Sequence, residues 1–198
     1  MLFLGWEIAP NWVSEHIKCI DYFCADISSG VSLSVVGEKI PENYSYFRFA
    51  DQLDTGNVLI KRTVFEKCGL FDEQFEKMRM GDGEFGVRAY LNGLKNISNP
   101  YTPRQHLKIA KGGLRDMGHW DAFRPKNIFS PIPIASVLYF WRRYWGNKAA
   151  ILSCIITIPL SLNPYYMKGK LSGFVLSIII LLPLLPLLMI QVLRSWIK

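Results

Sequence analysis

A small mixed α/β domain followed by one or two apolar membrane helices is the fold class this sequence predicts, and three observations carry it. Short apolar runs bounded by glycine and proline alternate with helix-length segments as far as Gly93. No residue from Leu171 to Leu193 carries a charge. Basic and aromatic residues crowd the stretch just before that tail. The 198 residues leave room for one ordinary domain plus an appendage, and a hydrophobic share of 50% is the upper end of the soluble range.

Leu2 to Leu4 reads as the end of a buried strand. Pro10 and Asn11 then open a helix through about Cys24, with Asn11 as the candidate cap. Val31 to Val36 alternates as a strand does, and Gly37 to Tyr44 is a loop containing Pro41. Thr55-Gly56-Asn57-Val58-Leu59-Ile60 is a glycine-led turn into a short strand. Thr63 to Cys68 forms a short helical turn ended by Gly69, and Phe71 and Phe75 fall at i, i+4, expected on one inward face. The next helix spans Gly83 to Asn92, with Asp82 at its mouth and Gly93 as its stop.

The tail is apolar over a membrane-length span. Leu171 to Leu193 as a helix reaches about 34 Å, enough for a bilayer core. A second charge-free stretch, Ala149 to Met167, contains Pro159, Asn163 and Pro164, so a short or re-entrant helix is expected there. That arrangement keeps Lys168 and Lys170 on the cytoplasmic side with the globular part. The net charge of +7 concentrates at Arg104, Lys108, Lys111, Arg115, Arg124, Lys126, Arg142, Arg143 and Lys148, interleaved with Trp141, Tyr144 and Trp145. That pattern reads as an interfacial belt on anionic lipid rather than a nucleic-acid surface, since no stacking motif accompanies it. The cysteines Cys19, Cys24, Cys68 and Cys154 show no metal-ligand or disulfide spacing, and the N-terminal apolar run is too short for a secretory signal.

The chemistry concentrates at Met80-Gly81-Asp82-Gly83-Glu84-Phe85-Gly86-Val87-Arg88-Ala89-Tyr90-Leu91-Asn92-Gly93. Taken alone, Asp82 and Glu84 are acids in a first helical turn, where backbone N–H groups and the helix dipole favour them. The wider block extends the reading: Gly56-Asn57 leading a strand into Lys61-Arg62, then Gly69-Leu70-Phe71-Asp72, then Gly81-Asp82, then Arg88 to Gly93.

In order and spacing this block resembles family 2 glycosyltransferases of the GT-A fold. The resemblance implies that Asp82 is the catalytic base, which deprotonates the acceptor hydroxyl for direct, inverting displacement at the anomeric carbon. Gly81 stands where that family has glutamate. Glu84 and Asn57 are expected on the substrate side of the site. His106, after Pro100-Tyr101-Thr102-Pro103, matches the family's downstream histidine, and a structural role for it stays open. Gly5-Trp6-Glu7, followed by Pro10-Asn11-Trp12, resembles the Asp-X-Asp metal motif, with Glu7 as its one carboxylate. The implied cofactor is a divalent metal, Mg or Mn, at Glu7 and His106. Lys111 and Arg115, in the loop from Lys111 to Trp120, match the segment that closes over a donor diphosphate, and a solvated loop is the competing reading.

The resemblance covers about residues 1–130 and does not reach the family's nucleotide-binding half. The expected domains are a partial GT-A-like unit over 1–130, a basic and aromatic interfacial segment over 131–148, and membrane-associated helices over 149–198. The expected partners are a nucleotide-sugar donor, a glycan or lipid-linked acceptor and membrane lipid, with the globular part on the cytoplasmic side. A truncated, inactive, membrane-anchored remnant is the alternative.

Overall fold

The computed structural model describes residues 2–3, 6–33, 37–76, 80–106, 134–162, 167 and 170–197. The chain divides into two compact units, Met1–Glu73 with Gly81–Ala110, and Gln74–Met80 with Lys111–Lys198.

The first unit is a mixed six-stranded sheet with three helices. Its elements are β1 (Leu2–Phe3), β2 (Trp6–Ile8), α1 (Trp12–Tyr22), β3 (Ile27–Leu33), β4 (Arg48–Phe49), β5 (Val58–Ile60), α2 (Arg62–Cys68), α3 (Gly81–Leu91) and β6 (Asn96–His106). The strand order is β1-β2-β6-β3-β5, with β4 also on β6. β6 runs parallel to β3 and antiparallel to β2 and β4, so it is the strand on which the sheet is assembled. The sequence reading assigns no strand there, and Pro100 and Pro103 each remove a ladder donor.

The structure accommodates both prolines in a break. Ile27 to Gly30 pair with Asn96 to Asn99, then the register jumps and Ser32 and Leu33 pair with Arg104 and Gln105. Residues 100–103 therefore lie opposite Val31 alone. The backbone acceptors left at this break are met by a side chain: Asn57 Nδ2 donates to Val31 O at 3.0 Å and to Thr102 O at 2.9 Å. Gly30 permits the approach, since a Cβ there would lie 2.5 Å from both Asn57 amide atoms and collide with Thr102 O.

α1 places His16, Cys19 and Ile20 inward at helical spacing. Asn11 occupies the cap position without a side-chain cap bond, and Ser14 Oγ instead donates back to Asn11 O at 2.8 Å. His16 is fully buried, with Nδ1 2.8 Å from Ser28 Oγ and no hydrogen-bond partner for Nε2 among the described residues. Burial holds its pKa down at about 4. On the other side of β3, Ile27, Leu53, Val64, Phe85, Ala89 and Leu94 form the main core with α2 and α3. Burying the Phe85 side chain alone is worth about 1.5–3 kcal/mol. Phe71 stacks on Phe85 at 4.4 Å between centroids, whereas Phe75 belongs to the second unit and meets Tyr139 at 5.4 Å, so the expected common face divides. The 3₁₀ turn Glu73–Phe75 between them breaks the α-helical spacing on which that expectation rests.

α3 is set by backbone proximity. A Cβ on Gly86 would lie 2.5 Å from Asp51 O and 2.9 Å from Gln52 Cα. Gly93, at φ 72°, reverses the chain after α3, as expected of a helix stop.

The second unit holds α4 (Ile134–Ser161) and α5 (Leu171–Ile197). α4 is two helical segments joined across Gly146, at φ 79° and ψ 177°. Leu138, Ala150, Cys154, Ile158 and Leu162 pack against Leu184 and Leu188. Among the described residues one helix is long and apolar enough to cross a membrane, over Leu171–Ile190 with a mean hydropathy of 2.7.

Gly86→Ala should lower stability by about 1–3 kcal/mol, because backbone must move to admit the methyl group; a denaturant titration against wild type measures it. His16 gives a pH signature. The unfolded imidazole binds a proton where the buried one does not, so its contribution is complete above pH 6.5 and lost as pH falls toward about 4. The loss over that window should reach about 3 kcal/mol, and His16→Gln should flatten it in melts recorded across pH.

Candidate active site

The site begins with the turn Asp54-Thr55-Gly56-Asn57. Asn57 N donates to Asp54 O at 2.8 Å and Gly56 N to Asp54 Oδ1 at 2.9 Å, so the aspartate side chain closes the turn it starts. The other Asp54 oxygen accepts from Ser32 Oγ at 2.6 Å and from Arg104 NH2 at 2.6 Å. Arg104 Nε adds a bond to Ser32 Oγ at 3.0 Å. β3, the turn and β6 are thus joined by one charged cluster. Arg104 is 3% exposed, and pairing with Asp54 opposes the effect of burial on its guanidinium.

Asp82, in the first turn of α3, faces this turn. Thr55 Oγ1 donates to Asp82 Oδ1 at 3.0 Å, and Thr55 N approaches Oδ2 at 3.4 Å. Burial pushes the Asp82 carboxyl above the usual aspartate range. The two Thr55 bonds oppose that, Asp54 adds to it and Arg104 opposes it. Partly exposed and with raised proton affinity, this carboxylate can accept a proton from a bound hydroxyl group.

The remaining sequence candidates distribute differently. Asn57, expected at the substrate, is fully buried, and its Oδ1 accepts from Trp12 Nε1 at 2.8 Å while its Nδ2 bridges the sheet break. Glu84, expected beside it, is also fully buried in a two-point ion pair with Arg88 at 2.9 and 3.0 Å, which leaves it no surface for a substrate. The i, i+4 spacing on α3 accounts for that pairing. Arg104, counted in the lipid-facing basic belt, belongs instead to the buried pair with Asp54, because its position on the inner strand β6 sets it against β3. Glu7 is exposed on β2 with Gln105 as its Cα partner, and His106 at the end of β6 has Trp6 as its Cα partner. Lys111 and Arg115 lie outside the described residues.

Three members of the cluster escaped sequence reasoning: Asp54, Thr55 and Arg104. An aspartate two residues before a glycine is a turn signal, and it could have placed Asp54. Arg104 had no such signal while β6 went unrecognised.

No protein-family model and no curated protein matches the chain. Among solved structures it is similar to S. aureus TarS 1-349 in complex with UDP-GlcNAc, at 14% identity and a TM-score of 0.49, over 96% of this chain. The chain spans 53% of that chain's length.

Replacing the desolvated Asp82 carboxylate with a neutral amide should not lower stability at neutral pH. The sign follows from the raised folded pKa: the native state binds more protons than the unfolded state, so wild type loses stability as pH rises through that pKa. Asp82→Asn should therefore melt at or above the wild-type temperature near neutral pH, with the difference shrinking below about pH 4.

Proposed function

We propose that this chain supplies the acceptor-activating part of an inverting glycosyltransferase of the hexosyl-transferring type, with Asp82 as the general base. The observation that carries the reading is the Asp82 carboxylate itself, partly exposed at the start of α3, fixed by Thr55 and raised in proton affinity by burial. The sequence block from Gly56 to Gly93, which resembles family 2 glycosyltransferases, supplies the reaction class.

In the proposed reaction the acceptor hydroxyl gives its proton to Asp82 as its oxygen bonds to the anomeric carbon of a nucleotide sugar. The bond from that carbon to the diphosphate breaks with its electron pair leaving on the nucleotide, and the anomeric centre inverts. A positioned base contributes about 10²–10⁴-fold to such a step. Asp54 and Arg104 act behind it: their ion pair holds the turn that presents Thr55 to the base. Lys111 and Arg115 are the proposed partners of the departing diphosphate, through charge-assisted hydrogen bonds.

The divalent metal fits the described residues poorly. Gly5 has no side chain to ligate, and no group of three or more His, Cys, Asp or Glu able to hold a metal occurs among the described residues. The acceptor class proposed is a polysaccharide or a lipid-linked sugar at the cytoplasmic face of a membrane, supported by the apolar helix Leu171–Ile190.

Asp82→Asn, in the protein that carries the donor-binding half, should cut transfer by about 10²–10⁴-fold while the dissociation constant for the nucleotide donor stays unchanged. Retained turnover would remove Asp82 from the base position. The acid limb of the wild-type rate profile should lie above the ordinary aspartate range, since the base must be unprotonated to act.

A further inference from the structure

Within the second unit, the two ends of the apolar region meet. Arg142 NH1, on α4, donates to the carbonyl of Trp196, near the end of α5, at 2.9 Å, and its guanidinium lies 4.6 Å from the Trp196 ring centroid. The seam continues from Ala150 through Cys154 and Ile158 to Leu162, packed on Leu184 and Leu188, so the helices are antiparallel. Trp141 and Trp145, with rings 4.8 Å apart, stand at the same end as Arg142. Aromatic and cationic side chains gathered at one level mark a membrane–water boundary.

Away from the seam both helices present apolar side chains outward. Ile151, Leu152 and Ile155 on α4 and Ile179, Leu182 and Leu193 on α5 are each at least half exposed. Two hydroxyls in the hairpin are satisfied internally: Ser153 Oγ donates to Ala150 O at 2.8 Å and Ser177 Oγ to Phe174 O at 2.7 Å. That is the condition for helices in hydrocarbon, where no water competes for them. Leu171–Ile197 rises about 40 Å and residues 147–161 about 22 Å, against a bilayer core of about 30 Å. Eight residues, 162–169, separate α4 from Lys170 in the sequence, and Lys170 stands at the far end of α5 from Trp196.

We propose that α4 beyond Gly146 and α5 form a two-pass hairpin in the lipid bilayer, with Arg142 and Ile197 at the cytoplasmic surface and Lys170 at the opposite one. The charges set the direction. Arg142, Arg143, Lys148 and Arg194 lie toward the paired ends, Lys170 lies toward the tip, and no acidic residue follows Asp121 in the sequence. An excess of Lys and Arg fixes the cytoplasmic side. The inference rests on the reading of α5 as a membrane segment, and it places Lys170 across the membrane from the side expected when the Ala149 to Met167 stretch is re-entrant.

The test uses the full chain expressed in a bacterial host, with Lys170→Cys and Ile197→Cys made separately and spheroplasts treated with a membrane-impermeant maleimide. Lys170→Cys should label in intact spheroplasts. Ile197→Cys should label above the wild-type background only after permeabilisation, and wild type, with its native cysteines, should stay unlabelled while the membrane is intact. Lys170→Cys protected until permeabilisation, or unlabelled in both conditions, overturns the two-pass hairpin in favour of one that does not emerge. Ile197→Cys labelled in intact spheroplasts overturns the shared side. Extraction of the wild-type chain into alkaline carbonate would instead overturn the membrane reading itself, whatever the labelling pattern.

Discussion

The side chain of Asn57 is the constraint on which the rest of the globular unit depends. A sheet whose inner strand carries two prolines cannot close its ladder with backbone groups alone, and unsatisfied buried carbonyls cost about 1–3 kcal/mol each. The Asn57 amide meets Val31 O and Thr102 O at the break, and its oxygen receives the Trp12 indole. One residue therefore joins β3, β6 and α1. It also ends the turn whose other members, Asp54 and Thr55, reach toward Arg104 and Asp82. Repair of the sheet and placement of the Asp82 carboxylate are consequences of one turn.

The electrostatics of the site follow from that arrangement. Arg104 is too buried to stand alone, and Asp54, next to Thr55 in the same turn, supplies its counter-charge at 2.6 Å. Asp82 therefore experiences two neighbouring charges of opposite effect, and burial is the main influence on its proton affinity. The breaking of a buried pair costs more than the pair contributes, so Asp54 and Arg104 constrain each other strongly. Glu84 and Arg88 form a second such pair, which fastens α3 to the end of α2 through the Cys68 carbonyl. The two acids of the first turn of α3 thus separate into a fully buried, ion-paired group and a partly exposed one, although their sequence positions look equivalent.

Sequence reasoning reached the elements whose signals are local. The Thr55 to Ile60 turn and strand, α1, α2 with Gly69 after it, and α3 with Gly93 all depend on neighbours within a few residues. It failed at β6, where two prolines argue locally against a strand and a side chain 45 residues from Thr102 supplies the hydrogen bonds that make one possible. Loss of that strand carried Arg104 into the wrong group of cations and hid its link to Asp54. The sequence places Asn57 and Glu84 on the substrate side of the site, but exposure is a tertiary property that spacing does not encode, and both are fully buried. Asp82 was legible as a helix-opening acid; its hydrogen bonds from Thr55 join segments 27 positions apart.

The close approach of Gly86 to Asp51 and Gln52 bears on how such a protein can diverge. Main chain touches main chain there, so the height and roll of α3 are fixed without reference to the size of any neighbouring side chain. Aliphatic and aromatic residues around Phe85 can then be exchanged over generations while the carboxylate one turn earlier keeps its place. A lineage holding this glycine and the Asn57 turn is free to lose most of its recognisable sequence without losing the geometry at Asp82.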